Sequence, residues 1–266
     1  MPHDPGLRVC TWNVHGWCDV QGRLAYARVA ETLRGLDCDI LALQEVFDPA
    51  RLARLDATLG TRHAQAPAAW GANALLARPA LVDPRALALD VPGGELRSAV
   101  RAEVVACGVR VTVAATHLDA HDEAVRCLQY EHLAAALPRD APALLLGDFN
   151  ALCPQDYARP RWQAIGDARR AAGLDPPDDA LLRRLDADGW YDLVRVAALG
   201  GGIAGDPHAR GAPLPGALTA TSRVGTRVDY VFGNAALLAR FEVTSARVVE
   251  SDASDHRPVV VALTPT

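Results

Sequence analysis

The chain has 266 residues, with 27 basic residues that are all Arg against 32 Asp and Glu, and a formal net charge of −5 at pH 7. Half of the residues are hydrophobic and 22% are charged, enough to bury a sizeable core, which excludes a disordered chain. The mild acidic balance excludes a broadly basic surface that tracks nucleic acid by charge alone, but not a local groove lined by arginine.

Short apolar runs alternate with helical periodicity along the chain. Residues 7–12 (LRVCTW) read as a strand. Residues 22–36 read as a helix, with Tyr26, Val29, Ala30 and Leu33 on one face. Residues 39–44 (DILALQ) form a buried strand, and residues 72–77, 98–106 and 110–116 further strands, the last two joined by a tight turn at CGV. A helix over 122–137 follows, then a strand over 143–146 that runs into GDFN. Residues 161–172 and 178–187 are helical, and strands over 228–232, 242–249 and 258–263 close the chain. The stretch 199–226 is rich in Gly and Pro and has no period, the mark of a long functional loop.

The six cysteines contain no C-x-x-C pair and sit mostly in apolar runs, so they are expected as buried reduced thiols. The N-terminus shows no basic region followed by an apolar one, and no apolar run reaches membrane-spanning length. One domain over residues 1–266, without a membrane span and cytoplasmic, is the expectation; oligomeric state is not legible.

Polar residues recur where apolar runs end. Asn13 and His15 follow RVCTW, Glu45 follows LALQ, His117 and Asp119 follow VTVAAT, and Asp148 and Asn150 follow ALLLG. Asp229 lies within RVDYVF, and Asp255 and His256 precede RPVVVAL. A carboxylate abutting a buried strand is costly unless something satisfies it, so these strand ends are expected to converge on one polar pit. Clustered carboxylates repel, and a divalent cation relieves the repulsion. Oxygen ligands without a cysteine cluster suit Mg²⁺, or Mn²⁺, better than Zn²⁺. A histidine oriented by an aspartate stays cationic near neutral pH.

The ordered motifs TWNVHG, LQEV, WGANALLAR, THLD, GDFNA, RVDYVF and SDHRPV, running from Thr11 to Val259, resemble the endonuclease/exonuclease/phosphatase family. That family includes AP endonucleases, DNase I-like nucleases, neutral sphingomyelinases, inositol polyphosphate 5-phosphatases and tyrosyl-DNA phosphodiesterases. The resemblance implies an α/β fold: a four-layer α/β sandwich of two mixed β-sheets packed face to face and flanked by helices. It implies that Glu45 binds the metal and that Asn13 and Asp255 help to hold the metal or its waters. Asp148 matches the carboxylate that orients and deprotonates the attacking water, and Asn150 the amide that holds that water or a phosphate oxygen. His256 matches the histidine that contacts the phosphate, with Asp229 as its carboxylate partner, and His117 a donor to the phosphoryl oxygens. The activity implied is a metal-dependent phosphodiesterase acting on a small-molecule or nucleic-acid phosphoester. A nuclease acting on DNA or RNA is the first alternative, and an inactive binding module of the same fold the second.

Several residues are read in more than one way. Asp119 is either a fifth carboxylate of the pit or the cap of a helix beginning near His121. Arg126 and Gln129 either anchor that helix to the site or lie on a solvated face. Trp70 is expected to be packed rather than to stack on a substrate. His15 stands where AP endonucleases typically carry Asp or Asn, and THLD is similar to the sphingomyelinase and tyrosyl-DNA phosphodiesterase form; both weaken the repair-enzyme reading. A nuclease would need arginine clusters beside the pit, for which RPRW with Arg169 and Arg170 is the candidate, a solvated helix face being the plainer reading. A zinc hydrolase through His117 and His121 leaves GDFN and SDH unexplained. The adjacent Ser254, Asp255 and His256 cannot form a triad among themselves. Substrate choice is expected to lie in the loops over 47–70, 153–189 and 199–223.

Overall fold

The computed structural model describes residues 6–200 and 213–266. The first half of the chain runs β1 (Leu7–Asn13), α1 (Tyr26–Leu36), β2 (Ile40–Val46), α2 (Pro49–Leu59), β3 (Arg62–Ala66), β4 (Ala72–Ala77), β5 (Val82–Ala88), β6 (Ser98–Ala106) and β7 (Val109–His117). It continues with α3 (Glu123–Ala134), β8 (Ala143–Asp148), α4 (Arg159–Ala171), α5 (Ala180–Ala187), β9 (Trp190–Asp192) and α6 (Leu193–Ala198). The last elements are β10 (Asp229–Asn234), α7 (Ala235–Leu238), β11 (Phe241–Val248) and β12 (Val259–Pro265).

These strands form two six-stranded sheets, ordered β11-β12-β1-β2-β4-β3 and β5-β6-β7-β8-β10-β9. Both are mixed. Each has one parallel pair, β1 with β2 and β7 with β8, among antiparallel neighbours. The period of two along a strand separates the layers. On β8, Leu144 and Leu146 enter the apolar layer between the sheets, while Ala143 and Leu145 join the layer under the helices. Val29, Leu33, Leu52 and Leu55 of α1 and α2 cover the outer face of the first sheet. Tyr130, Leu133, Leu181 and Leu185 of α3 and α5 cover that of the second. The architecture is the expected sandwich of two mixed sheets between helical layers.

Every strand read from the sequence is present. The CGV turn is a tight hairpin in which Cys107 and Gly108 both have positive φ, at 49° and 77°, and Ala106 pairs with Val109. The unforeseen strands β3, β5 and β9 are all sheet edges. β5 is almost wholly exposed and contains Pro84, and β3 (RHAQA) is mostly polar, so neither carries an apolar alternation. Helix α2 falls in the stretch read as a loop. Its signals were present: Asp48 accepts from the backbone N–H groups of Ala50 and Arg51, Pro49 opens the first turn and Gly60 closes the helix in the left-handed region. Helix α1 starts at Tyr26 rather than at residue 22, because the buried carboxylate of Asp19 accepts from the N–H groups of Gln21 and Arg23 and holds that stretch as a turn. No disulfide links the six cysteines; Cys10, Cys38 and Cys153 are buried, but Cys107 is exposed on its hairpin. Residues 201–212 of the long Gly/Pro-rich stretch lie outside the described residues.

Candidate active site

Strand register builds the first wall of the site. His117, at the end of β7, is the direct partner of Asp148 at the end of β8, and Asp148 is the direct partner of Asp229 at the start of β10. Three polar residues thus share one row across three adjacent strands. The row needs Gly147. A Cβ there would lie 2.0 Å from the carbonyl oxygen of Thr116, its partner on β7, so only glycine lets the strands approach here. After Asp148 the chain turns back. The N–H of Asn150 donates to Asp148 Oδ1 at 3.0 Å, and Asn150 has a positive φ of 49°.

The second wall comes from the other sheet. Asn13 ends β1, and its amide donates to Glu45 Oε1 at 2.9 Å and to Asp148 Oδ2 at 3.1 Å, so one side chain ties the two sheets together at the pit. Asn13 Oδ1 accepts from the N–H of His15 at 3.0 Å. Glu45 sits in a break of the β2–β4 register with a positive φ of 56°. Gly71 makes room for that bulge, since a Cβ there would meet the Glu45 carbonyl carbon at 2.8 Å. His15, Glu45 and Asn150 all adopt left-handed backbone, a strained conformation for such side chains that is typical of functional positions.

His256 completes the pit from the segment that leads into β12. Its Nδ1 donates to Asp229 Oδ2 at 2.9 Å, and its Nε2 lies 3.8 Å from Asp148 Oδ2. Its backbone is clamped: Trp12 Nε1 donates to the His256 carbonyl at 2.9 Å, and Ser254 Oγ accepts from the His256 N–H at 3.2 Å while donating to the Asn13 carbonyl at 2.7 Å. Thr221 Oγ1 likewise accepts from the N–H groups of Val228 and Asp229. Sequence reasoning did not single out Trp12 or Thr221 and considered Ser254 only as a nucleophile; Trp12 and Ser254 tie site segments together across more than 240 residues, and Thr221 holds Asp229 across eight.

Burial and charge set the protonation of the pit. Burial, reinforced by Asp229, pushes the Asp148 carboxyl up to about 7. Burial also raises Glu45 above the ordinary carboxylate range. Burial alone would lower His256, but Asp229 and Asp148 outweigh it and push the imidazole up to about 10. Burial, with the nearby Arg97 and His256 charges, holds His117 well below the ordinary histidine range, hence neutral. Its Nε2 lies 3.1 Å from the Asn150 amide nitrogen and 3.5 Å from Asp148 Oδ2. Facing an amide N–H, that nitrogen accepts; it donates to a phosphoryl oxygen only if the Asn150 amide turns over. Asp229 Oδ1 is buried with no hydrogen-bond partner among the described residues. Ligand atoms of Asp148, Asp229 and His256 lie within 4.8 Å of one another, close enough to hold a metal ion. An excess of buried carboxylate oxygen and one orphaned acceptor fit a divalent cation.

Other expectations resolve differently. Asp119 does not join the pit, nor does it cap α3. Its Oδ1 accepts from the N–H groups of His121 and Asp122, and Asp122 is the cap, accepting from Ala124 and Val125. Those backbone donors, outweighing burial, keep Asp119 below its ordinary range with Glu95 N–H as a third. Arg126 and Gln129 are buried anchors, not a solvated face: Arg126 donates to the Asp119 carbonyl at 3.1 Å and Gln129 accepts from the Asp119 N–H at 2.8 Å. Trp70, expected to be packed, is 52% exposed, its indole N–H donating to Glu95. His15 reaches the pit, with Nδ1 3.7 Å from Asp255 Oδ1. Most of the proposed arginine cluster is engaged with the protein itself, while Arg159 is exposed. Arg161 donates to the Val224 and Gly225 carbonyls, Arg169 pairs with Asp175 and Arg170 with Asp167.

Two mixed sheets face to face between helices, with the polar ends of both central parallel pairs meeting in one pit, define a DNase I-like α/β sandwich. The chain belongs to the endonuclease/exonuclease/phosphatase family, whose profile matches residues 10–256. A search of curated proteins returned no match. Among solved structures, an endonuclease/exonuclease/phosphatase from Beutenbergia cavernae is similar at 23% identity, with TM-score 0.73, over 98% of this chain and 72% of that one. The human Nocturnin catalytic domain, solved with a bound sulfate anion, is similar at 20% identity, TM-score 0.70, over 98% and 94% of the two chains. A mannosyl-6-phosphatase from Bacteroides thetaiotaomicron is similar at 16% identity, TM-score 0.66, over 97% and 99%. At these identities the structural likeness concerns the fold. Among the described residues no helix is long and apolar enough to cross a membrane.

Proposed function

We propose that this chain is a divalent-metal-dependent phosphodiesterase that hydrolyses its substrate by in-line attack of water. The observation that carries this reading is the pairing of a buried carboxylate poised to take a proton, Asp148, with a histidine held cationic, His256, around the same pit. Asp148 orients the attacking water and accepts its proton, and Asn150 fixes the turn that presents the Asp148 carboxylate. His256, oriented by Asp229 at 2.9 Å, donates from Nε2 to the phosphoryl oxygens as charge grows there. His117, kept neutral, lines the floor. Glu45 and Asp255, with Asn13 orienting Glu45, would hold Mg²⁺ or Mn²⁺. The cluster of Asp148, Asp229 and His256 is the poorer ligand set, because a cationic imidazole has no lone pair to offer. When bound, the ion neutralises charge on the phosphoryl and leaving oxygens.

A small-molecule phosphoester fits better than a long nucleic acid, because Arg161, Arg169 and Arg170 of the candidate cluster are engaged with protein groups and the net charge is −5. Purified protein with Mg²⁺ or Mn²⁺ should hydrolyse bis(p-nitrophenyl) phosphate faster than p-nitrophenyl phosphate. Turnover that survives EDTA, or that Asp148→Asn leaves untouched, would contradict this assignment.

A further inference from the structure

The bulge that turns Glu45 toward the pit also leaves the next aromatic side chain outside the core. Phe47 is 55% exposed. One edge of its ring lies against Gly16, where a Cβ would sit 3.1 Å from Phe47 Cδ2. Phe47 also lines a cavity of about 390 Å³, together with Val46, Pro49, Gln65, Pro67 and Gly71 among others. Among the described residues no ionisable side chain lines this recess, and Gln65 brings the one polar side chain. Cavity and pit share a wall. Gly71 belongs to the cavity lining, and it is the glycine that packs directly on the Glu45 backbone.

We infer that this recess is a substrate subsite that receives an uncharged aromatic ring of the ester whose phosphate occupies the pit. The inference rests on the phosphoester reading of the pit and adds the chemistry of the group beyond the phosphate. A lining without charges disfavours a second phosphate or an ammonium group, which would be desolvated without a partner. A planar ring suits the lining better than a charged chain. The Phe47 ring offers an aromatic partner for stacked or edge contact, and the Gln65 amide can meet a polar ring edge. The volume falls within the range of small-molecule sites. The shared Glu45–Gly71 wall places the recess beside the phosphate rather than on an unrelated face.

The test uses phosphonates, whose carbon–phosphorus bond is not an ester and survives the enzyme. Methylphosphonate, naphthylmethylphosphonate and octylphosphonate are titrated in saturating Mg²⁺ and followed by phosphorus NMR, with the native chain and with Phe47→Ala. Phe47 is a surface side chain, so its removal leaves the core intact. Burial of the ring should make naphthylmethylphosphonate bind at least about tenfold more tightly than methylphosphonate. In Phe47→Ala that ratio should collapse while methylphosphonate affinity stays unchanged. Equal affinities in the native chain, or a ratio that survives Phe47→Ala, would overturn the subsite alone. Octylphosphonate binding as tightly as the naphthyl compound would overturn the aromatic assignment. Failure of methylphosphonate itself to bind would instead overturn the phosphoester reading of the pit.

Discussion

Asp148 and Asp229 face each other in direct register on β8 and β10, both buried, with the His256 ring reaching both. The imidazole donates from Nδ1 to Asp229 and turns Nε2 toward Asp148, so one cation answers two carboxylates. With Asp148 and Asp229 ionised the trio carries a net negative charge in a pit largely shut off from solvent, and Glu45 adds to it from the other sheet. Such a charge balance favours protonation of Asp148 when the site holds no ion and favours a dication when one is available.

Asp148→Asn keeps the shape of the side chain and removes the proton acceptor. Hydrolysis of a phosphodiester should fall by roughly 10²–10⁴-fold, the range for loss of a positioned base, with the circular dichroism spectrum unchanged. His256→Asn should cost a comparable factor. A loss below tenfold in initial rate for either variant would remove that residue from the chemistry.

Stability of the metal-free protein should fall as pH rises. Asp148 titrates near 3.8 in a free chain and at about 7 when folded, and His256 near 6.5 and about 10. The folded state therefore binds more protons than the unfolded one, through Asp148 between 3.8 and about 7 and through His256 between 6.5 and about 10. Their contributions are complete below the unfolded values and are lost as pH climbs through the folded ones. Urea denaturation in EDTA should show greater stability at pH 6 than at pH 9, and His256→Asn should flatten the alkaline part of that slope.

Gly147→Ala forces a methyl group into the space of the Thr116 carbonyl, 2.0 Å from the ideal Cβ position. The central β7–β8 pair must separate to admit it. A cost of about 1–3 kcal/mol is expected from overpacking, and activity should drop with it, since His117 and Asp148 are register partners on these strands. Thermal unfolding and initial rates measure both.

Arg227 is buried two residues before Asp229. It donates to Asp156 at 2.7 Å and to Asp192 at 2.6 Å, and its guanidinium stands 4.3 Å from the centre of the Tyr230 ring. Arg227→Ala strips Asp192 of its cation and leaves Asp156 paired with Arg195 alone, a loss of about 3–5 kcal/mol. A shift of the chemical-denaturation midpoint corresponding to less than about 1 kcal/mol would show that water replaces the arginine.

Chelation should abolish turnover, and Mg²⁺ or Mn²⁺ should restore it. An ion that binds the folded pit and not the unfolded chain should also raise the melting temperature, in proportion to the logarithm of its concentration over Kd. A melting temperature blind to both metals would place the ion elsewhere.

Much of the fold was legible because buried strands are written as apolar runs: LRVCTW, DILALQ and ALLLGD are buried over nearly their whole length. The edge strands β3, β5 and β9 were not, because a strand with one side in water carries mixed chemistry, as β3 and β5 do. The site residues were legible for the opposite reason, as carboxylates, amides and histidines abutting apolar runs. Side chains whose role depends on a distant partner were not. The indole of Trp12 reads as core until its N–H is seen to hold the His256 carbonyl, 244 residues away.

The sequence by itself determined the apolar alternation of two sheets, the polar punctuation at their strand ends, and the family that these motifs resemble. Only the tertiary structure decided the register that aligns His117, Asp148 and Asp229, the bulge that separates Glu45 from Phe47, and the withdrawal of Asp119 to a backbone turn. The physical reason is range. Burial and periodicity act between neighbours in the chain, whereas hydrogen bonds and charge in a desolvated pit act between groups that only folding brings within a few ångströms.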